Sequence, residues 1–288
     1  MTLIQLIICG LMIATTRVFA IEANNPIDCR DHIDGIVSLS AAPSSQPREP
    51  IEVLVWNVQK FENPKAINWL DQTSAHVIIT QESIESTHKQ FALSKQAADV
   101  FAPGYQTLNN ETSGVGIVTR LETLSSCAWQ HQEPWLLTPK ATLVSAVRAA
   151  DQIMIIVNLH AVNFSIGTSE LNNQLEAISA VIGDFKGPVI VAGDFNTWSQ
   201  SRTQLLIGFA QEHGLQPAVF EPDYRVKPFS YPLDHILTKN LQVIDSRSEE
   251  NEFSDHNPLI LTIALPTPND VQLSYKSSTE IKRSFAKK

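Results

Sequence analysis

Residues 188–199 read PVIVAGDFNTWS, an apolar run that breaks off at Gly193 into Asp194, Phe195 and Asn196. Val189 to Ala192 are apolar without alternation, which marks a strand covered on both faces. The residues that follow, QSRTQLLIGFAQEHG (200–214), read as a helix closed by Gly214. The residues before, TSELNNQLEAISAVIGDF (168–185), read as another. There Leu171, Leu175, Ile178 and Ile182 recur at helical spacing, and Thr168 or Ser169 can cap the start. Outward from this unit, IEVLVWNV (51–58), HVIITQ (76–81), GVGIVTR (114–120), ATLVSAVRA (141–149), IMIIVNLH (153–160), DHILTK (234–239) and NPLILTIAL (257–265) read as further strands. Strands covered on both faces, with helices between them, give an α/β class of stacked sheets and outer helices.

The chain has 288 residues, 43% hydrophobic and 18% charged, which is enough apolar surface for a sizeable core and excludes global disorder. Lys+Arg 21 against Asp+Glu 30 gives a net charge of −9, so charge alone does not suggest a non-catalytic nucleic-acid binder. Residues 1–20, MTLIQLIICGLMIATTRVFA, read as a signal peptide cleaved after Ala20; the apolar run is too short to span a bilayer. Export to the periplasm or beyond is the expectation. Of the three cysteines, cleavage would leave Cys29 and Cys127, which can pair in an oxidising compartment or remain two buried thiols. Residues 21–50 are polar and turn-rich and read as a lead-in to a domain spanning 51–265. Residues 266–288 end basic and read as a solvated tail.

The polar residues gather where apolar strands end. IEVLVW runs into Asn57, HVIIT into Gln81 and Glu82, IMIIVNL into His160, PVIVAG into Asp194 and Asn196; Asp234 opens DHILTK, and Asp255 and His256 precede NPLIL. Ends of neighbouring strands converge, so sequence-distant groups can share one crevice. Carboxylates and side-chain amides are hard oxygen donors suited to Mg²⁺, with Mn²⁺ or Ca²⁺ as alternatives. No HExxH, Walker A, GxGxxG or GxSxG pattern is present, which disfavours a zinc protease, a P-loop enzyme, a dinucleotide binder and a serine hydrolase. A metal site with two histidines and an asparagine suits attack of water on a phosphate ester.

WNVQ, TQES, GVGIVTR, VNLH, GDFNTWS, PLDHIL and SDHNPL, in this order over residues 51–265, resemble the endonuclease/exonuclease/phosphatase superfamily, the DNase I-like phosphoesterases. The resemblance implies a four-layer sandwich of two central β-sheets flanked by helices, and divalent-metal phosphoesterase activity. Residue by residue, it implies Glu82 as principal metal ligand with Asn57 and Asp255 nearby. Asp194 and Asn196 would orient the attacking water and the phosphate, with Asp194 a candidate base. His256 would contact phosphate or handle a proton, oriented by Asp234, and His160 would serve the leaving oxygen.

Singly, each residue has a plainer reading: a strand-end cap for Asn57, a core histidine for His160, an Asx turn for Asp194 and Asn196. His235 reads as structural, and Trp56, Phe195 and Trp198 as packing. Some nucleases of the superfamily pair the histidine matching His160 with an acid near the GVGIVTR strand; here that stretch is Thr112-Ser113-Gly114, with Glu111 upstream. The expectation is an exported, monomeric, Mg²⁺-dependent phosphodiesterase. Nucleic acid stands first among its substrates and phospholipid or sphingomyelin second. A silent binding protein on the same fold is the remote alternative.

Overall fold

The computed structural model describes residues 21–22, 26–39, 49–134, 136 and 138–266. The expected signal peptide, residues 1–20, and the expected tail from residue 267 onward lie outside the described residues. One sheet holds, in spatial order, β1 (Ile21–Glu22), β6 (Glu122–His131), β7 (Lys140–Ala149), β8 (Gln152–His160), β9 (Val189–Asp194), β11 (Asp234–Lys239) and β10 (Gln216–Pro217). The other holds β12 (Gln242–Ser248), β13 (Leu259–Ala264), β2 (Ile51–Asn57), β3 (Val77–Ile84), β5 (Thr112–Thr119) and β4 (Ala98–Gln106). Both are mixed: β8 with β9 and β2 with β3 run parallel, while most other pairs are antiparallel.

Three apolar clusters account for four layers. Val55, Met154, Ile156 and Ile190 meet between the sheets. Ile155, Val157 and Val191, from alternate positions of the same strands, face outward against α4 (Ser169–Ile182) and α5 (Gln200–His213). On the far side, Leu54, Trp56 and Ile78 pack against α2 (Lys65–Gln72) and α3 (Glu85–Ser94). Each central strand therefore needs apolar residues at both parities, which is why these strands read as continuous runs rather than alternations. The four-layer sandwich implied by the resemblance is the observed architecture.

The lead-in departs from its reading. Within it, α1 (Pro26–Leu39) is a 14-residue helix that sets Cys29 and Ile33 into the outer cluster, and Cys29 is disulfide-bonded to Cys127 of β6. Its helical pattern is weak, so the polar composition of the segment concealed it. The bond joins residues 98 apart with Cα atoms 5.6 Å from each other. Closing a loop of that length stabilises a fold by about 4–5 kcal/mol in the chain-entropy account.

Candidate active site

Strand register assembles the site. His160 at the end of β8 lies opposite Asp194 at the end of β9, and Asp194 lies opposite Asp234 at the start of β11. Three residues from three strands thus stand abreast on one sheet edge. On the facing sheet, Asn57 ends β2 opposite Gln81 of β3. Between Thr80 and Ser83 the β3–β5 register slips, and Glu82 takes a left-handed φ of 51°. A non-glycine residue in that region costs of order 1 kcal/mol or more and persists only where its surroundings hold it. Asn158 of β8 does the holding from the opposite sheet. Its Oδ1 accepts from Gln81 Nε2 at 2.7 Å, and its Nδ2 donates to the Thr80 and Gly116 carbonyls at 3.0 and 2.9 Å.

Asp194 is the centre of the cluster. Its Oδ2 accepts from Asn57 Nδ2 at 3.1 Å and faces His160 Nε2 at 3.6 Å and His256 Nε2 at 3.9 Å. Its Oδ1 accepts the Asn196 backbone N–H at 2.9 Å, while Asn196 Nδ2 donates to the Ala161 carbonyl at 2.9 Å. His256 Nδ1 pairs with Asp234 Oδ2 at 2.7 Å, and Trp56 Nε1 anchors the His256 carbonyl at 2.8 Å. All of these except the contacts of Trp56 and Ala161 link residues that the sequence had marked as site residues.

Their environments drive the two imidazoles apart. Burial opposes a charged His256, but the Asp234 carboxylate outweighs it and pushes the ring up to about 10. Burial, reinforced by the Lys140 charge, pulls His160 down to about 4. Burial and the neighbouring Asp234 charge hold Asp194 above the ordinary carboxylate range against the histidines. Opposed shifts of this kind set up one proton donor and one acceptor in a single crevice.

Two lysines belong to the site that the sequence reading missed. Lys60 Nζ sits 2.9 Å from Glu82 Oε2, and Lys140 Nζ lies 3.0 Å from His160 Nε2. Burial favours a neutral Glu82, yet His160, Lys140 and Lys60 together hold it at about 2, fully ionised. Lys140 was findable in principle: the start of an antiparallel β7 must lie beside the end of β8. Lys60 was not, because three successive left-handed residues, Gln59 to Phe61, turn it back onto the crevice. Beside His160 this chain sets the Lys140 ammonium, and Glu111 is exposed.

The expected metal set is only partly brought together. Glu82 and Asn57 face the crevice, and the Lys60 ammonium on Glu82 marks a place where positive charge is already held. An ionised carboxylate and an amide oxygen are donors that fit a hard divalent cation. Asp255 lies beside His256, whose charged form its carboxylate favours. It is exposed, and among the described residues its carboxylate takes one hydrogen bond, from Ser254 at 3.4 Å. Asp194, Asp234 and His256 also offer ligand atoms within 4.8 Å of one another, although Asp234 Oδ2 already accepts from His256 Nδ1. His235 is structural as read: its Nε2 contacts Thr197 Oγ1 at 2.7 Å and its ring stacks edge-on with Phe195.

A four-layer sandwich with carboxylates, amides and two imidazoles at its strand ends defines a class of phosphoesterase. The chain belongs to that class, the Endonuclease/Exonuclease/phosphatase family, whose model matches residues 54–256. Among curated proteins it is similar to UPF0294 proteins: 35% identical over 222 residues to one from Vibrio vulnificus (strain YJ016), covering 75% of this chain and 78% of the relative. One from Yersinia pseudotuberculosis (strain IP 31758) is 36% identical over 218 residues, covering 74% and 83%. Solved structures share the fold at low identity. The endonuclease/exonuclease/phosphatase from Beutenbergia cavernae superposes with a TM-score of 0.63 at 14% identity, covering 76% of this chain and 72% of that one. The human Nocturnin catalytic domain with bound sulfate gives 0.57 at 18%, covering 75% and 94%.

Proposed function

We propose that the chain is an exported, divalent-metal-dependent phosphodiesterase that hydrolyses its substrate by direct attack of water. The observation that carries this reading is the Asp194 carboxylate flanked by His160 at 3.6 Å and His256 at 3.9 Å, beside an ionised Glu82. Glu82 and Asn57 would hold the cation, Mg²⁺ being the best match to hard oxygen donors. Bound there, it would neutralise charge on the phosphate and on the leaving oxygen.

The chain's own groups supply the rest. Asp194, above the ordinary carboxylate range and oriented by Asn57 and the Asn196 N–H, takes the proton of the attacking water. As the water oxygen bonds to phosphorus, the ester bond to the leaving oxygen breaks. His256, kept protonated by Asp234, donates to a phosphate oxygen. Lys140, whose ammonium is held 3.0 Å from the neutral His160 Nε2, returns a proton to the leaving oxygen, and His160 positions it. The products are one phosphomonoester and one alcohol.

Export is supported by the Cys29–Cys127 disulfide, since such bonds persist in oxidising compartments. Nucleic acid was the first substrate expected from sequence. A phospholipid is the second reading, and an apolar groove beside Asn196 favours it. The test of the general function is hydrolysis of a small chromogenic phosphodiester by residues 21–288 with Mg²⁺. Chelator should abolish the activity and added Mg²⁺ restore it. Turnover indifferent to chelator would overturn the metal-dependent reading.

A further inference from the structure

Next to the catalytic cluster lies a groove of about 620 Å³ whose lining includes Asn196, so it opens directly onto the site. Its walls are Leu136, Phe164, Ile166, Trp198, Phe229 and Leu233, and among the described residues the lining holds no charged side chain. Phe229 and Ile166 are each 82% exposed and Phe164 55%. Scattered apolar residues on a surface mean little, but a contiguous set around a concave site marks a place for an apolar ligand.

The rim is built rather than left loose. The Arg202 guanidinium, fully buried, donates to the Val162 and Asn196 carbonyls and to Ser165 Oγ. The buried Glu133 carboxylate accepts the backbone N–H groups of Asn163 and Phe164 at 2.8 and 2.7 Å, and Trp198 Nε1 donates to Asn163 Oδ1 at 3.0 Å. Two buried charges and an indole thus fix the loop that holds Phe164 and Ile166 out in water. Elsewhere in the lining, Phe229 and Ser230 both adopt left-handed φ, 52° and 74°, and the Phe229 side chain is exposed. Non-glycine residues in this region persist where the surrounding structure holds them.

From this geometry we infer that the substrate is an amphiphilic phosphodiester, a phospholipid presented at a membrane surface. Its phosphate enters the strand-end cluster while its apolar part lies in the groove and the rim side chains enter the bilayer interface. The inference rests on the phosphodiesterase reading above and narrows its substrate. A nucleic-acid strand is the poorer occupant, because strands are tracked by cations along a groove and this lining has none. Exposed Phe and Ile on anchored loops match what an interface-binding surface needs. Water adds across one P–O ester bond of the lipid, giving a phosphomonoester and an alcohol.

The test uses residues 21–288, which include every described residue, with Ile166→Asp and Phe229→Asp as variants outside the catalytic cluster. Three substrates are offered with Mg²⁺: phosphatidylethanolamine/phosphatidylglycerol vesicles, plasmid DNA, and methyl p-nitrophenyl phosphate. Vesicle co-sedimentation is measured separately in chelator, where no turnover is needed. Vesicle lipid should be hydrolysed and the protein should co-sediment. Both variants should lose about tenfold or more in lipid turnover and sedimentation, while the small diester is cleaved within about twofold of wild type. Variants that bind and cleave vesicles like wild type would overturn the inference. So would cleavage of DNA with vesicles untouched, or a dimer dissociated by Phe229→Asp, which would give the groove to a second copy. Failure on the small diester alone strikes the phosphodiesterase reading; co-sedimentation then still decides the groove.

Discussion

The strand-end cluster and the groove beside it invert the usual distribution of side chains in opposite directions, and they share Asn196. The cluster buries Asn57, His160, Asp194 and Asp234, polar groups that a core ordinarily excludes. The groove exposes Phe229, Ile166 and Phe164, side chains that a core ordinarily claims. The inversions are sustained differently. A buried polar group without a partner costs about 1–3 kcal/mol; each member of the cluster has a partner inside the chain, although Asp234 Oδ1 is left without one. Asn158 bridges the sheets, Asp234 holds His256, and Asn57 holds Asp194. Exposed rings have no such internal answer; their surface is satisfied only by something that comes from outside. Polar groups compensated within and apolar groups left uncompensated are what a reaction centre and a recognition surface require.

The largest effect that would test this contrast lies in the cluster. His256→Ala and His160→Ala, made separately, should each lower turnover of the chromogenic diester by about two orders of magnitude or more. Near-UV circular dichroism should stay native. Near-wild-type turnover in both would take the cluster out of the chemistry.

Asn158→Leu probes compensation itself. It strips partners from Gln81 and from the Thr80 and Gly116 carbonyls. Urea denaturation should show a loss of about 3 kcal/mol or more. An unchanged midpoint would mean the sheets are held without this bridge.

His88 offers a buried polar group outside the cluster, with its Nε2 unpartnered and its ring pressed against Gly116. Burial pulls it down to about 4 from 6.5. The unfolded chain therefore takes up a proton first as the pH falls. The stability contribution is complete above about pH 6.5 and is lost as the pH drops toward 4, amounting to about 3 kcal/mol at most. His131, His160 and His235 are depressed too, so the measurement is a difference. His88→Leu should flatten the wild-type dependence of urea stability between pH 7 and 4, and equal slopes would refute the assignment.

The smallest effect belongs to the rim. Ile166→Ser and Phe229→Ser should shift thermal stability by no more than about 0.5 kcal/mol, since neither side chain packs inside the fold. A larger loss would show that the groove is part of the core and not a surface awaiting a ligand.

Much of this was legible in the chain itself. The doubly covered strands announced themselves as unbroken apolar runs, because a strand with cover on both faces needs apolar residues at every position. Asn57, Glu82, His160, Asp194, Asp234 and His256 were legible as the polar residues at which those runs begin or end. The edge strands β4 and β12 were not, because they carry polar residues that meet solvent and their patterns are diluted; β6 was not either, because the residues it buries include Thr123, Ser125 and Ser126. Nor was α1, whose few apolar contacts sit in a polar segment. Local periodicity thus determined the class and the strand ends at which polar residues gather, since covering a strand or helix is a property of neighbouring residues; the four layers and the roles of those residues were implied by the ordered motifs. Strand register and loop conformation decided the rest. They set which carboxylate faces which imidazole, turned Lys60 onto Glu82, and brought Phe164 and Phe229 to the lining of one groove. These are contacts between residues far apart in the chain, and no local pattern encodes the distance between them.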